Sequence, residues 1–413
     1  MNKTSYRAPL VVLTTLFFMW GLITSLNDIL IPHLKGAFAL SYVQAMLIQF
    51  CFFGAYFVMS LPAGLLVDRV GYRRGIIIGL AVAAAGCLLF YPAAGARSYP
   101  FFLAALFVLA SGITLLQVAA NPFVAVLGSP ATASSRLNLT QAFNSLGTTL
   151  GPLLGSALIL AAVVPTTDAG AGAGAAAAAE ASSVQGPYLG LAAALLVLAV
   201  LIAIARLPAI KAEEPATATG LAVATQRDSV WQYRHLVLGA VCIFLYVGAE
   251  VSIGSFLVNF MNRPEVAGLP EEVAGRYLAL YWGGAMVGRF IGAAVLARIR
   301  PGKVLAFNAV IAAVLLVLAM LLAGRTAMWA LLLIGLFNSI MFPTIFTLAI
   351  AGLGKFTGAG SGVVCMGIVG GAIVPVIQGY VADQGALLYS FVVPAVCYLF
   401  IAWYGLVGSH PRP

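Results

Sequence analysis

Gly64-Leu65-Leu66-Val67-Asp68-Arg69-Val70-Gly71-Tyr72-Arg73-Arg74 sets four charges, Asp68, Arg69, Arg73 and Arg74, within a few residues of each other, in a chain that is only 8% charged. Apolar runs flank it at 43–67 and 74–95. Each has the roughly 20 residues that a helix rising about 1.5 Å per residue needs to cross a hydrocarbon core about 30 Å thick. Gly71 lets the chain reverse tightly between them. The stretch reads as a polar turn joining two membrane-crossing helices. Asp68 is placed to hold basic groups or a nearby helix end in one arrangement and to lose them in another.

Extending this reading outward gives twelve spans, at 9–33, 43–67, 74–95, 100–126, 139–163, 186–207, 234–262, 272–297, 303–323, 326–352, 358–381 and 386–408. The composition requires lipid as solvent. Hydrophobic residues make up 62% of the chain, whereas a soluble domain carries about a quarter charged residues, and in water such a chain would expose large apolar patches. The net charge of +9 does not imply nucleic acid, because the basic residues stand at the ends of apolar runs rather than clustering on one face beside aromatics. Fifteen of the 21 Lys and Arg fall on the side of the N-terminus, five (Lys35, Arg97, Arg263, Arg276, Arg325) in the opposite loops, and Arg289 inside a span. Basic residues in short loops stay on the cytoplasmic side, so the expectation is a multi-pass inner-membrane protein with both termini in the cytoplasm. The N-terminal MNKTSYRAPL runs into the first span without a cleavage signal and reads as retained. Cys51, Cys87, Cys242, Cys365 and Cys397 lie in apolar runs with no CxxC spacing and read as buried thiols.

Two polar breaks interrupt the pattern. Residues 210–232, with Lys211, Glu213, Glu214, Pro215, Arg227 and Asp228, divide an N-terminal six-helix bundle (1–209) from a C-terminal one (233–413) and form a cytoplasmic linker. Residues 165–186, rich in Ala and Gly, read as a low-complexity outer loop. The halves repeat weakly: Gly54-Ala55-Tyr56-Phe57 and the turn 68–74 correspond, 229 residues later, to Gly283-Gly284-Ala285-Met286 and Ala297-Arg298-Ile299-Arg300-Pro301-Gly302-Lys303.

Polar groups inside spans point to chemistry. Asp28, Glu250 and Arg289 are unfavourable there unless they face a wet cavity or a partner. Glu250 and Arg289 suit each other as an ion pair, either a static tie between spans seven and eight or one that changes with state. Gln49, Gln117, Asn121, Gln141, Asn144, Asn338 and Gln378 are amides in spans, destabilising if unpaired. Amides donate and accept without charge, as sugar hydroxyls require. Gln141 and Asn144 share a helix face. Each amide alone serves equally well to bond a neighbouring helix; as a set they favour a hydrated cavity. Trp282, beside Tyr281, either stacks on a pyranose or packs as a belt aromatic. Gly358, Gly360, Gly362, Gly367, Gly370 and Gly371 of span eleven suit close helix approach.

The turn 64–74 resembles the major facilitator signature G-x-x-x-D-R-x-G-R-R. Within that superfamily, several segments are similar to the fucose permease and glucose/galactose transporter group, the fucose:proton symporter family. They are Asn27-Asp28, Gln117-Val118-Ala119-Ala120-Asn121-Pro122, Arg136 to Gly147, Tyr246 to Glu250, Tyr281 to Phe290, and Phe342-Pro343-Thr344-Ile345-Phe346. The resemblance covers essentially the whole chain. It implies an all-α membrane protein of twelve transmembrane helices in two pseudo-symmetric bundles, with the substrate between them near the midplane. It also implies that Asp68, Arg69, Arg73 and Arg74 gate the cytoplasmic side, that Asp28 is the coupling carboxylate, and that Gln141 and Asn144 fall at polar substrate contacts. Asn27, Gln49, Gln117, Asn121, Trp282 and Asn338 complete the expected substrate-binding set, and Glu250 and Arg289 the coupling set. Fucose permeases carry a Glu where this chain has Gln117, and the Gln form is similar to the glucose/galactose branch.

The resulting expectation is a secondary active transporter, without cofactor or metal site, that takes up a hexose by symport with a proton or sodium. Glucose or galactose leads, with L-fucose, fructose and N-acetylglucosamine as alternatives. The expected partners are the sugar and the lipid bilayer, with no nucleic acid, and the chain is expected to work as a monomer. A drug or metabolite exporter of the same superfamily is the other alternative, expected to have a greasier cavity. An enzyme is disfavoured: H-E-x-x-H, G-x-S-x-G and phosphate loops are missing, and His33, His235 and His410 lie far apart.

Overall fold

The computed structural model describes residues 6–37, 42–96, 98–160, 185–205, 207–208 and 228–411, without the side chains of 26–37, 42–46, 94, 152–160, 385 and 386. The loop 165–186, most of the linker 210–232 and the side chains of Asn27 and Asp28 lie outside the described residues.

Among the described residues twelve helices follow one another: α1 (Arg7–Ala37), α2 (Tyr42–Val70), α3 (Tyr72–Gly95), α4 (Tyr99–Val126), α5 (Ala133–Leu160), α6 (Gln185–Ile204), α7 (Arg234–Asn262), α8 (Glu271–Leu296), α9 (Pro301–Leu321), α10 (Gly324–Ala349), α11 (Gly354–Gln384) and α12 (Tyr389–Gly408). Eleven are long and apolar enough to cross a bilayer. The twelfth, α5, is polar over its first turns, with Ser134, Ser135, Arg136, Asn138, Thr140, Gln141 and Asn144. The reversal at Gly71 has the left-handed φ of 84° that the turn reading requires. All five cysteines are free, four of them buried and Cys51 half-buried.

One boundary differs instructively from the sequence expectation: α5 starts at Ala133, not 139. Arg136 in its first turn donates to the carbonyls of Ala125 and Ser129, both at 2.8 Å. A cation there satisfies carbonyls that the end of α4 leaves unbonded, which ties down the short connection and lets the next helix begin at once.

Two prolines inside spans free carbonyls that other helices then use. Proline lacks an N–H, so the carbonyl four residues earlier is left without its helical donor. Pro122 frees Val118, whose oxygen accepts from Ser361 Oγ of α11 at 2.9 Å. Pro343 frees Ser339, whose oxygen accepts from Arg289 Nε of α8 at 3.2 Å.

Within the first half α1 packs on α5, α2 on α4, and α3 on α4 and α6; within the second α7 packs on α11 and α12, and α9 on α10 and α12. The halves meet through α2 against α11 and α5 against α8, two contacts that exchange when each helix number shifts by six. The first is backbone on backbone: a Cβ at Gly64 would lie 2.5 Å from the Gly358 carbonyl oxygen.

Candidate functional site

Helices from both halves converge on a cavity of about 310 Å³. Its polar wall is Gln117 of α4, Gln141 and Asn144 of α5, Glu250 of α7 and Arg289 of α8, and its aromatic wall is Trp20, Phe52, Tyr56 and Phe342. Five polar residues expected from sequence are thus brought together, drawn from four helices and both halves.

Four of the five are held by hydrogen bonds within the protein. Gln141 Nε2 donates to Asn121 Oδ1 at 3.3 Å, and Asn144 Nδ2 donates to the Phe17 carbonyl of α1 at 2.9 Å. Both amides therefore keep a carbonyl oxygen for the cavity. Glu250 Oε1 accepts from the Tyr246 hydroxyl at 2.8 Å. Arg289 reaches out of its own helix: besides Ser339 it donates to the Gln141 carbonyl at 3.4 Å and to Ser145 Oγ, both on α5. It bridges the halves at the cavity wall. The expected Glu250–Arg289 ion pair is not formed; the ion pair among the described residues is Arg263–Glu265, on an exposed loop. Arg289 is taken up by three oxygens on α5 and α10, and Glu250 by a tyrosine.

Other expected site residues lie elsewhere. Asn121 is fully buried behind Gln141 and serves as its acceptor. Asn338 is fully buried too, donating to Tyr281 OH at 2.8 Å and accepting from Tyr398 OH at 2.6 Å, so its side chain is engaged within the protein. Trp282 is 45% exposed, edge-on to Tyr281 and outside the cavity wall. Gln49 is exposed, on the face of α2 that carries Phe52 and Tyr56 but beyond the cavity. The aromatics that do line it, Trp20 above all, were not singled out by sequence. The available signal was register: Trp20, Thr24 and Asp28 succeed each other at helical spacing on one stripe of α1.

At the end of the molecule carrying the 68–74 turn, the halves are latched. Both Asp68 oxygens accept backbone N–H groups at the start of α11, from Gly358 at 2.8 Å and Ala359 at 2.9 Å. A carboxylate is favoured there by the unpaired N–H groups and the dipole of a helix N-terminus. The Arg73 guanidinium donates to the Ile202 and Ala203 carbonyls at the end of α6, within its own half. Arg69 and Arg74 are exposed. Further polar ties lie on the same side: Ser134 Oγ to Thr347 Oγ1 at 2.6 Å, Ser135 Oγ to the Ala293 carbonyl at 2.6 Å, and Asn138 Nδ2 to Thr344 Oγ1 at 3.4 Å.

The sequence profile of the Major Facilitator Superfamily matches residues 12–368. The chain belongs to the major facilitator superfamily. Among named members, a glucose/galactose transporter of Brucella abortus is 59% identical over 408 residues, covering 99% of this chain and 96% of that protein. An L-fucose-proton symporter of Escherichia coli is 36% identical, covering 97% and 93%. The solved structure of the major facilitator superfamily transporter FucP in the outward conformation superposes with a TM-score of 0.88 at 36% identity, over 98% of this chain and all of that one. The all-α fold read from the sequence is thus the major facilitator fold, and the named relatives are transporters rather than enzymes.

Proposed function

We propose that this chain takes up a hexose, glucose or galactose, by cation-coupled symport with alternating access. The observation that carries the reading is the cavity shared by the two halves, with Gln117, Gln141 and Asn144 facing Glu250 and Arg289. Its 310 Å³ lies at the small end of the roughly 300–1,000 Å³ of ligand pockets, which suits a monosaccharide better than a bulky drug. Amides with free carbonyl oxygens accept from sugar hydroxyls, and the Arg289 guanidinium donates to them; Trp20 offers a face for the ring's C–H side. The names of the 59% and 36% identical relatives, together with Gln117 where fucose permeases carry Glu, favour glucose or galactose over fucose.

In this reading residues 1–209 and 233–413 are the two moving bundles, 210–232 the cytoplasmic linker, and the protein works as a monomer in the inner membrane with both termini inside. The Asp68 latch then closes the cytoplasmic side, and its release opens the cavity inward. The proton is the coupling ion by analogy with the fucose-proton symporter, with Asp28 and Glu250 the carboxylates able to carry it. Uptake of a sugar panel into proteoliposomes, with proton and sodium gradients imposed separately, tests this. Glucose or galactose is expected to accumulate under the proton gradient, and no accumulation of any hexose under either gradient refutes symport. Asp28→Asn is expected to abolish accumulation while preserving counterflow of labelled sugar.

A further inference from the structure

The α8–α9 turn repeats the α2–α3 turn at an offset of 229 residues, with three differences of charge: Asp68 becomes Ala297, Gly71 becomes Arg300 and Arg73 becomes Gly302. Arg69 has Arg298 as its counterpart, and Arg74 has Lys303. The first turn contains a carboxylate, and the second sets Arg298, Arg300 and Lys303 together without one. All three are exposed, and none belongs to an ion pair among the described residues.

Beside these cations a groove of about 510 Å³ opens between α8, α9 and α10. Its wall is aliphatic and aromatic, with Lys303 at one end and Asn308 inside. Ile291, Ile299 and Phe307 in that wall are 55%, 50% and 61% exposed. On helices that cross a membrane such side chains face acyl chains.

We propose that this groove binds one anionic glycerophospholipid, an acyl chain lying along Ile291 and Phe307 and the phosphate meeting Lys303, with Arg298 and Arg300 flanking it. Charge complementarity selects the occupant. Three cations lacking an internal counter-ion attract an anionic headgroup, whereas a zwitterionic lipid offers the same chain and no net charge. A groove of similar volume, about 520 Å³, lies between α1 and α5 with no charged residue in its wall; it has no means of selecting a headgroup. The lipid would also bear on transport, because the groove's floor includes Ser339, whose carbonyl holds Arg289.

Native mass spectrometry of the intact protein with phosphatidylglycerol against phosphatidylcholine tests the proposal. The wild type is expected to retain phosphatidylglycerol about fivefold more strongly, the effect of roughly one well-placed cation at an anionic headgroup. Lys303→Gln with Arg300→Gln is expected to bring the two lipids to parity. Ile291→Trp, which fills the groove and leaves all three cations, is expected to do the same. Val11→Trp, in the uncharged α1–α5 groove, is expected to change nothing. Equal retention by the wild type overturns the proposal. So does a preference that survives Ile291→Trp, since the cations would then act as a surface patch, or one abolished equally by Val11→Trp.

Discussion

Arg289 and Glu250 line one cavity from neighbouring helices without forming an ion pair. Arg289 points its guanidinium across to α5 and back to the carbonyl that Pro343 frees on α10. Glu250 is left with Tyr246 on one oxygen. A half-buried acid and base held apart in this way leave room for a hydroxyl-bearing ligand between them, and the second carboxylate oxygen has no described protein donor competing for it.

The planar fork of Arg289 meets three oxygens on two helices, a geometry that the single ammonium of lysine cannot reproduce. Arg289→Lys is therefore expected to lower the rate of sugar counterflow about tenfold, equivalent to roughly 1.4 kcal/mol, with the protein still monodisperse on size exclusion. Counterflow within twofold of wild type would show that only the charge of Arg289 matters.

Trp20 and Trp282 separate an aromatic in the cavity wall from one outside it. Trp20→Ala is expected to weaken sugar binding about tenfold, a loss of ring contact plus packing of order 1.4 kcal/mol. Trp282→Ala is expected to change it less than about twofold, because its ring lies at 45% exposure against Tyr281 and surface substitutions of this kind usually have small effects. Isothermal titration with glucose and galactose measures both, and the reverse order would move the sugar toward α8.

Asn338 is a matter of stability. It joins the hydroxyls of Tyr281 and Tyr398 in a fully buried cluster; Asn338→Ala leaves the Tyr398 hydroxyl without this acceptor, at about 1–3 kcal/mol, while the Tyr281 hydroxyl keeps the Glu250 carbonyl. The expected result is a clear fall in the thermal midpoint, with the KM for sugar within about threefold of wild type. An unchanged midpoint with a raised KM would restore Asn338 to the substrate site.

Spans are legible in the sequence because unpaired polar backbone is so unfavourable in oil that helices are the stable solution, and the cavity amides Gln117, Gln141 and Asn144 are legible because an amide in a span needs company. The same argument cannot say whether that company is ligand or protein, so Asn121 and Asn338 read like Gln141 while serving other side chains. Nor does hydropathy distinguish Trp20 from Trp282, since an aromatic ring suits a cavity, a helix seam or the lipid face alike. Arg289's true partners carried a sequence signal in Pro343, which frees the Ser339 carbonyl. Its bonds to Gln141 and Ser145 depend on how the halves dock, and no local pattern encodes that.

The latch makes the last prediction. Asp68 accepts two backbone N–H groups with two oxygens; asparagine has one acceptor and would turn its NH₂ toward the second N–H. Because the carboxylate is exposed on one side, solvent screening keeps the loss near 1 kcal/mol, or about fivefold in the equilibrium between closed and open cytoplasmic sides. Gly64→Ala acts on the same seam by steric means, driving a Cβ to 2.5 Å from the Gly358 carbonyl oxygen, a contact that real Cβ atoms do not sustain, so it is expected to open the seam further than Asp68→Asn. A single cysteine replacing the fully buried Ser361, in a background freed of the five native thiols, reports the opening as faster maleimide labelling. The rate is expected to rise in the order wild type, Asp68→Asn, Gly64→Ala. Unchanged labelling in both variants, with folding intact, would mean that the α2–α11 contact does not gate this side.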